Sequence, residues 1–525
     1  MISASLRAAA SGGCTGPRSS ISAAVLAGTM LALAGCGGGG GDGFGPQQSS
    51  GNYAPGVFPA SASFKSQCTS VTTQNNWLRS WTNETYLWYA EVPDLNPSLY
   101  TTLDYFDLMK TSATTASNND KDKFHFYLDT AEWEKLSQSG IQAGYGVQWF
   151  LIQATPPRQI IAAFVEPNSP AAAAGVSRGD IVLSVDGADA VNGNTQAIVN
   201  TLNAGLFPDV ANQTHQFTLR DNANVTASVT MQSADVTLVP VQNVTTISTS
   251  TGLVGYMLFN DHVATAEGAL ISAINTLKSA NVTDLILDIR YNGGGYLDIA
   301  SELAYMIAGA NRTTGLTFES LTFNDKNPTR DPVTGQLLAP TPFYSTTQFA
   351  SGTPQTLPTL NLGRVFVLTG SGTCSASESI MNGLRGVNVS VIQIGGTTCG
   401  KPYGFYPTGN CGTTYFSIQF KGVNAANFGD YTDGFSPLNT VGTAGEKIPG
   451  CSVQDDFAHE LGNSAEARLA AALNYRATGG ACPTAPTGPV AQAKSQYSTA
   501  PVEGIMVKSP LRENRILRTQ TGIKL

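Results

Sequence analysis

Short apolar segments alternate with amphipathic segments between residues 254 and 394, and this alternation limits the possible folds more than any other feature. The apolar runs have strand length and lie at residues 254–259, 284–290, 365–368 and 389–394. Apolar residues recur at helical spacing in residues 264–280 and 296–308. Because crossover helices cover the faces of sheets with parallel strands, this order predicts an α/β domain with a mixed sheet.

The length and composition indicate several globular domains. A chain of 525 residues exceeds one ordinary domain, and 42% hydrophobic with only 13% charged residues is not the composition of a disordered polyelectrolyte. The net charge of −8 excludes the basic face that nucleic-acid binding requires. We therefore expect no nucleic-acid partner.

The N-terminus carries an export signal. An apolar run at residues 21–34 follows two arginines and ends in Leu-Ala-Gly-Cys, which resembles a bacterial lipobox. This resemblance implies that residues 1–35 are a lipoprotein signal peptide and that Cys36 carries lipid. The Gly at position 37 is typical of outer-membrane sorting, so we expect an anchored protein that faces the periplasm. The alternative is a plain signal peptide with an accidental cysteine.

The remaining cysteines are even in number, as expected in an oxidising compartment. Without Cys14 and Cys36, six are left: Cys68, Cys374, Cys399, Cys411, Cys451 and Cys482. We predict the pairs Cys399–Cys411 and Cys451–Cys482. A zinc site is the alternative, but the sequence lacks a close CxxC pair with a nearby histidine.

Composition divides the rest of the chain. Residues 36–65 are rich in Gly, Ser and Pro and are typical of a flexible linker. Residues 66–137 place aromatic residues at helical spacing and predict a helical N-terminal module. Residues 310–360 form a long polar insertion, and residues 481–525 are expected to be a disordered tail.

Residues 138–238 alternate strand-like segments with Gly and Pro, which predicts a β domain. Ser169, Pro170 and Gly175 delimit a short helix, and residues 179–187 predict a strand followed by a hairpin turn. This order resembles a PDZ domain. The resemblance implies that the loop Gly144, Tyr145, Gly146, Val147 binds a peptide's terminal carboxylate and that the next strand pairs with the peptide.

The segment 368–378 passes from a strand through a Gly- and Ser-rich turn into a helix. A serine at this junction, Ser375, lies beside free backbone N–H groups and the positive end of the helix dipole. This geometry suits a nucleophile, although serines at such junctions are also common as plain N-caps.

Lys401 follows Ser375 by 26 residues in a glycine-rich segment. Together with Ser375-Ala-Ser-Glu and the run Asp288-Ile-Arg-Tyr-Asn-Gly-Gly-Gly, it resembles the C-terminal processing peptidases, also called tail-specific proteases. The resemblance covers residues 144–475. It implies a ClpP/crotonase-like catalytic domain at 239–480.

In that family the serine attacks a peptide carbonyl and the lysine acts as general base, which requires burial to lower the lysine pKa. The resemblance further implies an oxyanion hole at the N–H groups of Ala376 and Gly294, with no cofactor or metal. The sequence has one residue more than usual between Ser375 and Lys401. Phe405 replaces a glutamine that orients the lysine in many members, and Gln419 is a candidate substitute.

Three alternatives remain open from the sequence. His262 is the histidine to consider for a Ser-His-Asp triad. Asp455, Asp456 and His459 suggest a metal cluster, although their spacing favours the first turn of a helix. The third alternative is a non-catalytic lipoprotein that binds peptide termini. The first interpretation, an envelope serine peptidase acting on exposed C-terminal tails, fits more of these features.

Overall fold

The computed structural model describes residues 53–442 and 445–486, together with the backbone of residues 515–516. The predicted signal peptide, Cys36 and most of the linker lie outside the described residues. The helices of the described part are α1 Val71–Thr85, α2 Thr102–Leu108, α3 Thr130–Ser139, α4 Pro170–Ala173, α5 Gln196–Leu206, α6 Ala266–Ser279, α7 Leu297–Ala308, α8 Ala310–Thr313, α9 Ala376–Gly386 and α10 Ala467–Thr478. No helix among them is both long and apolar enough for a membrane span.

The strands of the described residues are β1 Phe126–Asp129, β2 Ile141–Gly144, β3 Val147–Gln153, β4 Gln159–Val165, β5 Ile181–Val185, β6 Ala188–Asp189, β7 Thr214–Arg220, β8 Thr226–Gln232, β9 Ala234–Thr237, β10 Val241–Thr249, β11 Gly252–Phe259, β12 Asp284–Asp288, β13 Gly295–Tyr296, β14 Thr317–Thr322, β15 Thr341–Pro342, β16 Arg364–Thr369, β17 Ser390–Gly395, β18 Tyr403–Gly404, β19 Thr408–Asn410, β20 Thr413–Phe416, β21 Phe420–Val423, β22 Phe435–Pro437, β23 Glu446–Ile448, β24 Gly450–Ser452 and β25 Arg515–Ile516.

A six-stranded mixed sheet organises the C-terminal half, in the order β10-β11-β12-β16-β17-β24. The strands β10 and β11 are antiparallel, and all later neighbours are parallel. Helix α6 connects β11 to β12, and α9 connects β16 to β17. The predicted α/β sheet with crossover helices is confirmed.

Both faces of this sheet are buried, which explains why its strands are continuously apolar. Leu285 and Leu287 join one hydrophobic cluster with α6, α7 and α9, while Ile286 joins another with α10. Successive side chains of a strand point to opposite faces, so a single strand serves two cores. Complete burial of each such side chain contributes about 1.5–3 kcal/mol. The sheet is therefore a rigid support for the loops at its ends.

Residues 147–232 form a separate antiparallel sheet with the path β3-β4-β5-β7-β8, and β6 pairs with β5. The predicted short helix is present as α4, where the Ser169 hydroxyl accepts a hydrogen bond from the Ala172 N–H at 3.2 Å. The predicted hairpin is present too, since Asp186 and Gly187 have φ values of 48° and 78° between β5 and β6.

The N-terminal segment contains helices α1, α2 and α3, but it is not a purely helical module. Its strand β1 pairs antiparallel with β20, which follows Lys401 in the chain. The Leu87 N–H also donates to the Ile418 carbonyl at 2.8 Å. Tyr415 packs against the stacked rings of Trp77 and Trp81. These contacts join the segment to the C-terminal half, and sequence periodicity does not reveal such long-range pairing.

Three disulfides join the described cysteines, namely Cys68–Cys411, Cys374–Cys399 and Cys451–Cys482. The last pair confirms the prediction, whereas the predicted Cys399–Cys411 pair is wrong. Because β16 and β17 are adjacent and parallel, the turns that follow them meet and bring Cys374 to Cys399. Closeness in sequence was a weaker guide than closeness across the sheet.

Asp455 and Asp456 lie in a loop after β24, so the predicted helical first turn is wrong here, and the helix begins only at Ala467. The side chain of Asp455 is 8% exposed and forms ion pairs with Arg178, Arg290 and Arg468. Burial opposes ionisation, but these three cations hold the pKa of Asp455 well below its usual range. The carboxylate therefore joins residues 144–238 to the C-terminal half.

Most of the predicted disordered tail lies outside the described residues. The backbone of Arg515–Ile516 is described, and it forms a strand that pairs with β13. Backbone pairing to an exposed strand edge does not depend on the apolar pattern that sequence analysis uses to detect strands.

Candidate active site

Three consecutive parallel strands end at the same edge of the mixed sheet. Asp288 of β12 is opposite Leu368 of β16, and Leu368 is opposite Ile394 of β17. The loops after these strands carry, in order, the glycine run, Ser375 and Lys401. Carboxyl ends of parallel strands commonly form binding sites because their loops converge there. The topology thus brings the three sequence signatures together.

Ser375 occupies a strained turn before α9. Its φ of 59° and ψ of −113° are unusual for a residue with a side chain. Such a conformation costs on the order of 1–3 kcal/mol and persists only where surrounding contacts impose it. The side chain is fully buried, and its Oγ forms no hydrogen bond with any described residue. A buried hydroxyl without a partner in a strained turn is what a nucleophile waiting for substrate would show.

The carboxylate of Glu378 connects the serine turn to the lysine segment. Its Oε2 accepts hydrogen bonds from the Ser375 N–H at 2.9 Å and from the Lys401 N–H at 2.8 Å. Its Oε1 accepts from the Gly400 N–H at 2.9 Å and from the Thr398 hydroxyl. Hydrogen bonds to an ionised acceptor are the strong ones in proteins. One side chain therefore fixes the backbone of both predicted catalytic residues.

Glu378 is fully buried, and burial is the largest influence on its ionisation. Burial raises the pKa of this carboxyl, while its hydrogen bonds with Thr398 and with the N–H groups of Lys401, Gly400 and Ser375 oppose the rise. Four hydrogen-bond donors can point at Glu378 because an ionised carboxylate only accepts hydrogen bonds.

A covalent link lies beside this carboxylate. The Cys374–Cys399 disulfide joins the residue before Ser375 to the residue two positions before Lys401. The sulfur atoms and a Glu378 oxygen lie within 4.8 Å of one another, a spacing that could suggest a metal site. Disulfide sulfurs carry no thiolate, so this cluster lacks the ligands that zinc requires. Its evident effect is to clamp the two segments.

Lys401 is fully buried between aromatic rings. Its Nζ lies 4.6 Å from the centroid of the Phe124 ring and 4.7 Å from that of Phe405. The faces of these two rings can interact favourably with a cationic side chain. Phe124 comes from the N-terminal segment, and nothing in its sequence context marks it as part of this site.

Gln419, the candidate to orient the lysine, has other partners. Its Oε1 accepts from the Tyr406 N–H at 2.8 Å, and its Nε2 donates to the Thr85 hydroxyl at 3.5 Å. Both ends of the amide are thus used in joining the N-terminal segment to the chain after Lys401. Phe405 takes the position beside the amine instead.

The glycine loop after β12 is held by Asn292. Its Nδ2 donates to the Phe259 carbonyl at 2.9 Å, and its Oδ1 accepts from the Gly294 N–H at 3.0 Å. The Gly294 N–H, predicted for the oxyanion hole, therefore has an acceptor within its own loop. Among the described residues, the N–H groups of Gly293 and Ala376 donate to no acceptor. The predicted Ala376 donor is thus available, and Gly293 is a better second donor than Gly294.

The loop is also bonded to the serine turn. The Cys374 N–H donates to the Asn292 carbonyl at 3.1 Å, and the Ser377 hydroxyl donates to the same carbonyl at 3.0 Å. The Thr373 hydroxyl reaches the Ile289 carbonyl at 2.8 Å. The glycine loop and the serine turn consequently form one rigid unit.

His262, the candidate for a Ser-His-Asp triad, contacts the glycine loop through its ring and its backbone. Its Nδ1 lies 2.9 Å from Asn292 Oδ1, and its backbone carbonyl accepts from the Tyr296 N–H at 2.9 Å. Because Asn292 Nδ2 already donates to Phe259, the facing oxygen implies that His262 carries its proton on Nδ1. Burial lowers the pKa of His262 to about 3, so the ring is neutral.

The predicted carboxylate-binding loop lines a cavity of about 710 Å³ between β3, α3 and the end of α5. Among the described residues, the N–H groups of Tyr145 and Gly146 donate to no acceptor. A side chain at Gly146 would meet Ser169 Cβ at 2.3 Å, and its φ is 74°, so glycine is required there.

Comparisons with known proteins find relatives among peptidases. The profile described as "Peptidase family S41" matches residues 193–404. A carboxyl-terminal-processing protease of Picosynechococcus sp. is 30% identical over 183 residues, which cover 32% of this chain and 39% of the relative. The chloroplastic carboxyl-terminal-processing peptidase 2 of Arabidopsis thaliana is 22% identical over 235 residues, covering 43% and 44%. The matched stretch is thus less than half of either relative.

A solved structure extends the likeness to most of the fold. A crystal structure described as "Putative S41 protease from Bacteroides fragilis" has a TM-score of 0.55 with this chain at 23% identity. The superposition covers 77% of this chain and 97% of that one. The fold beyond the matched segment therefore has a counterpart among solved structures.

Proposed function

Since the chain carries a peptidase family S41 domain and has carboxyl-terminal-processing proteases among its homologues, we propose that it is a serine endopeptidase in which Ser375 is the nucleophile and Lys401 the general base. The observation that carries this proposal is the carboxylate of Glu378, which accepts from the N–H groups of both residues. A purely structural serine N-cap would not need a buried anion shared with a lysine segment.

The first chemical step is acylation. The neutral amine of Lys401 takes the proton of the Ser375 hydroxyl while Oγ bonds to the substrate carbonyl carbon. The N–H groups of Ala376 and Gly293 stabilise the negative oxygen that develops on the former carbonyl. The C–N bond then breaks, and the departing amine receives the proton from Lys401.

Deacylation reverses these roles with water as the nucleophile. The Lys401 amine accepts a proton from water, the hydroxide portion bonds to the acyl carbon, and Ser375 leaves with that proton. Lysine can serve both steps only if it is unprotonated at working pH. The burial of its amine against Phe124 and Phe405 supports this requirement, because removal from water disfavours the charged form.

Residues 138–238 are proposed to be a PDZ-like domain that recognises substrate C-termini. The unpaired N–H groups of Tyr145 and Gly146 at the cavity would bind a carboxylate, and β3 offers an edge for an extended peptide. Peptides that differ only in a free or amidated C-terminus test this, with a lower KM expected for the free form. Equal KM values would contradict tail recognition.

An envelope location is proposed from the lipobox-like sequence around Cys36. The three disulfides of the described residues support an oxidising compartment, where such bonds persist. Mass spectrometry of the protein from a bacterial host should find a diacylglyceryl modification that Cys36→Ala removes. An unmodified, uncleaved N-terminus would contradict the anchor.

Activity is tested with an unstructured polypeptide as substrate. We expect Ser375→Ala and Lys401→Ala each to abolish cleavage, while Lys278→Ala at the exposed end of α6 leaves it unchanged. Cleavage that survives both active-site changes would refute the dyad. Loss of activity in His262→Ala with folding intact would favour a histidine base. A folded wild type that binds peptides without cleaving them would favour the non-catalytic binding protein.

A further inference from the structure

The chain's own C-terminal segment pairs with the glycine loop of the candidate active site. Arg515 is opposite Gly295 and Ile516 is opposite Tyr296, in a parallel register. Within the described residues, β13 and β25 form a two-stranded sheet of their own. The tail therefore supplies the strand partner of a segment that directly follows the oxyanion loop.

The position of this strand relates it to both catalytic residues. Gly295 comes two positions after Gly293, a proposed oxyanion donor, and Tyr403 comes two positions after Lys401. The tail strand lies beside Tyr403–Gly404 as well as beside β13. The two segments that leave the catalytic loops thus both border the same short piece of chain.

An exposed strand edge presents N–H and C=O groups that an extended polypeptide can pair with. If this chain is a peptidase, as proposed above, its substrate must lie extended beside these same two segments in order to reach Ser375. Because the Tyr296 N–H already donates to the His262 carbonyl, the tail and a substrate would compete for the backbone groups of Gly295. Their binding should be mutually exclusive.

Electrostatic attraction favours the C-terminal segment as the occupant of this strand edge. Residues 501–525 contain five Lys or Arg and two Glu, a net charge of +3, whereas the chain as a whole has −8, which leaves −11 for the remainder. The surroundings of Tyr403 are acidic, since the negative charges of Asp430, Asp122, Asp433 and Glu91 add to burial in raising its pKa. A segment with a net positive charge is attracted to such acidic surroundings.

From these observations we infer that the segment around Arg515–Ile516 is an intramolecular occupant of the substrate-binding edge formed by Gly295–Tyr296 and Tyr403–Gly404. It acts as a tethered competitive inhibitor, and a substrate must displace it. This inference rests on the proposed peptidase function for its consequence, but the binding itself can be measured without turnover.

The expected strength follows from tethering. Attachment within one chain commonly gives an effective concentration on the order of 1 mM, so a segment whose free peptide binds with a Kd of about 0.1 mM would occupy the edge about ten times as often as not. Release of the tail should therefore lower KM about tenfold and leave kcat unchanged, as relief of competition requires.

The test uses the full-length protein with Arg515→Pro and Ile516→Pro together, which removes both backbone N–H groups that the pairing can use. The matched control carries Gln520→Pro and Thr521→Pro, four to six residues further along the same tail. We expect KM to fall about tenfold in the first variant only, and a synthetic peptide of residues 508–522 to restore it competitively. An unchanged KM, or a peptide that lowers kcat instead, would overturn the inference.

Two further measurements keep this result separate from the peptidase proposal. If no form of the protein cleaves substrate, the fluorescently labelled peptide is titrated into the proline variant combined with Ser375→Ala. Binding supports the tail site, and its absence refutes it. Mass spectrometry of wild type and Ser375→Ala compares their C-termini. An intact tail in both is expected, whereas trimming by the wild type alone would show a substrate and not an inhibitor.

Discussion

Replacing Glu378 by glutamine removes one negative charge while it keeps the shape of the side chain. In the wild type, Oε2 accepts from two backbone N–H groups, and Oε1 accepts from one N–H and one hydroxyl. Glutamine has one oxygen and one NH₂ group, and the NH₂ group cannot accept. The variant Glu378→Gln must therefore leave at least one buried N–H of the catalytic segments without an acceptor.

The magnitude depends on how the amide is oriented. If the NH₂ group replaces Oε1, the Thr398 hydroxyl can turn to accept from it, and only the Gly400 N–H is orphaned. The opposite orientation would orphan the N–H groups of Ser375 and Lys401 together. Each buried donor without a partner costs about 1–3 kcal/mol, so the first orientation should be adopted. Relief of the buried charge offsets part of this cost.

The catalytic effect should exceed the effect on stability. A displacement of about 1 Å between reacting groups can lower a rate about 100-fold, and Glu378 fixes the backbone on both sides of that distance. We expect kcat to fall about 100-fold with KM within a factor of two. This pattern is typical of a residue that positions catalytic groups without binding substrate.

The assay is steady-state cleavage of an unstructured polypeptide, with thermal unfolding measured in parallel. Glu267→Gln is the control for removing a buried charge, because that carboxylate accepts from the N–H groups of Gln348 and Phe349 through a single oxygen, which glutamine keeps, in a loop outside the dyad. It should leave kcat unchanged. If Glu378→Gln keeps kcat within twofold of wild type, the positioning argument is wrong.

Two more predictions concern pH and redox state. Burial, and then the neighbouring carboxyl of Glu267, raise the pKa of Glu302 from 4.5 to about 10, so the folded protein holds a proton that the unfolded chain releases, and stability falls as the pH rises through that range. Glu302→Gln should therefore raise the free energy of unfolding at pH 8 by at least about 1 kcal/mol, and denaturant titration at pH 4 should show no gain. The redox prediction compares two double variants, Cys374→Ser with Cys399→Ser and Cys451→Ser with Cys482→Ser. Each removes one disulfide, and the two disulfides close loops of similar length, with sequence separations of 25 and 31. Each variant should therefore lose about 3.5 kcal/mol of stability. Only the first should lower kcat in the polypeptide assay, and equal activity of both double variants would contradict the clamp.

The parts of the site that the sequence revealed are those that local chemistry determines. The apolar strands and the glycine breaks predicted the sheet and placed Ser375 and Lys401 at loop positions, and the register of β12, β16 and β17 then brought these loops together. The loops that follow adjacent parallel strands meet at one edge of the sheet. Predicting these strands therefore also predicted which loops form the site.

The parts that the sequence missed depend on contacts between distant segments. Phe124 reaches Lys401 because β1 pairs with β20. The residue pattern of neither strand predicts which strand it pairs with. The wrong Cys399–Cys411 pairing and the tail strand at Arg515–Ile516 have the same origin. Disulfide partners and edge pairing follow from tertiary geometry, and residue order alone does not contain it.

Gly294 illustrates a finer limit. The sequence predicted an oxyanion donor in the glycine run. Residue order alone, however, does not distinguish the N–H groups of the three successive glycines. Only the side chain of Asn292, which accepts from the Gly294 N–H, separates them and leaves Gly293 available. Such distinctions require atomic positions.

Covalent labelling with a fluorophosphonate tests the central claim most directly, because it reports an activated serine and requires no knowledge of the substrate. Peptide mapping by mass spectrometry should locate one adduct, on Ser375. Labelling should be lost in Ser375→Ala and in Lys401→Ala, and it should persist in His262→Ala. An adduct on another serine, or undiminished labelling of Ser375 in a folded Lys401→Ala protein, would contradict the serine–lysine dyad.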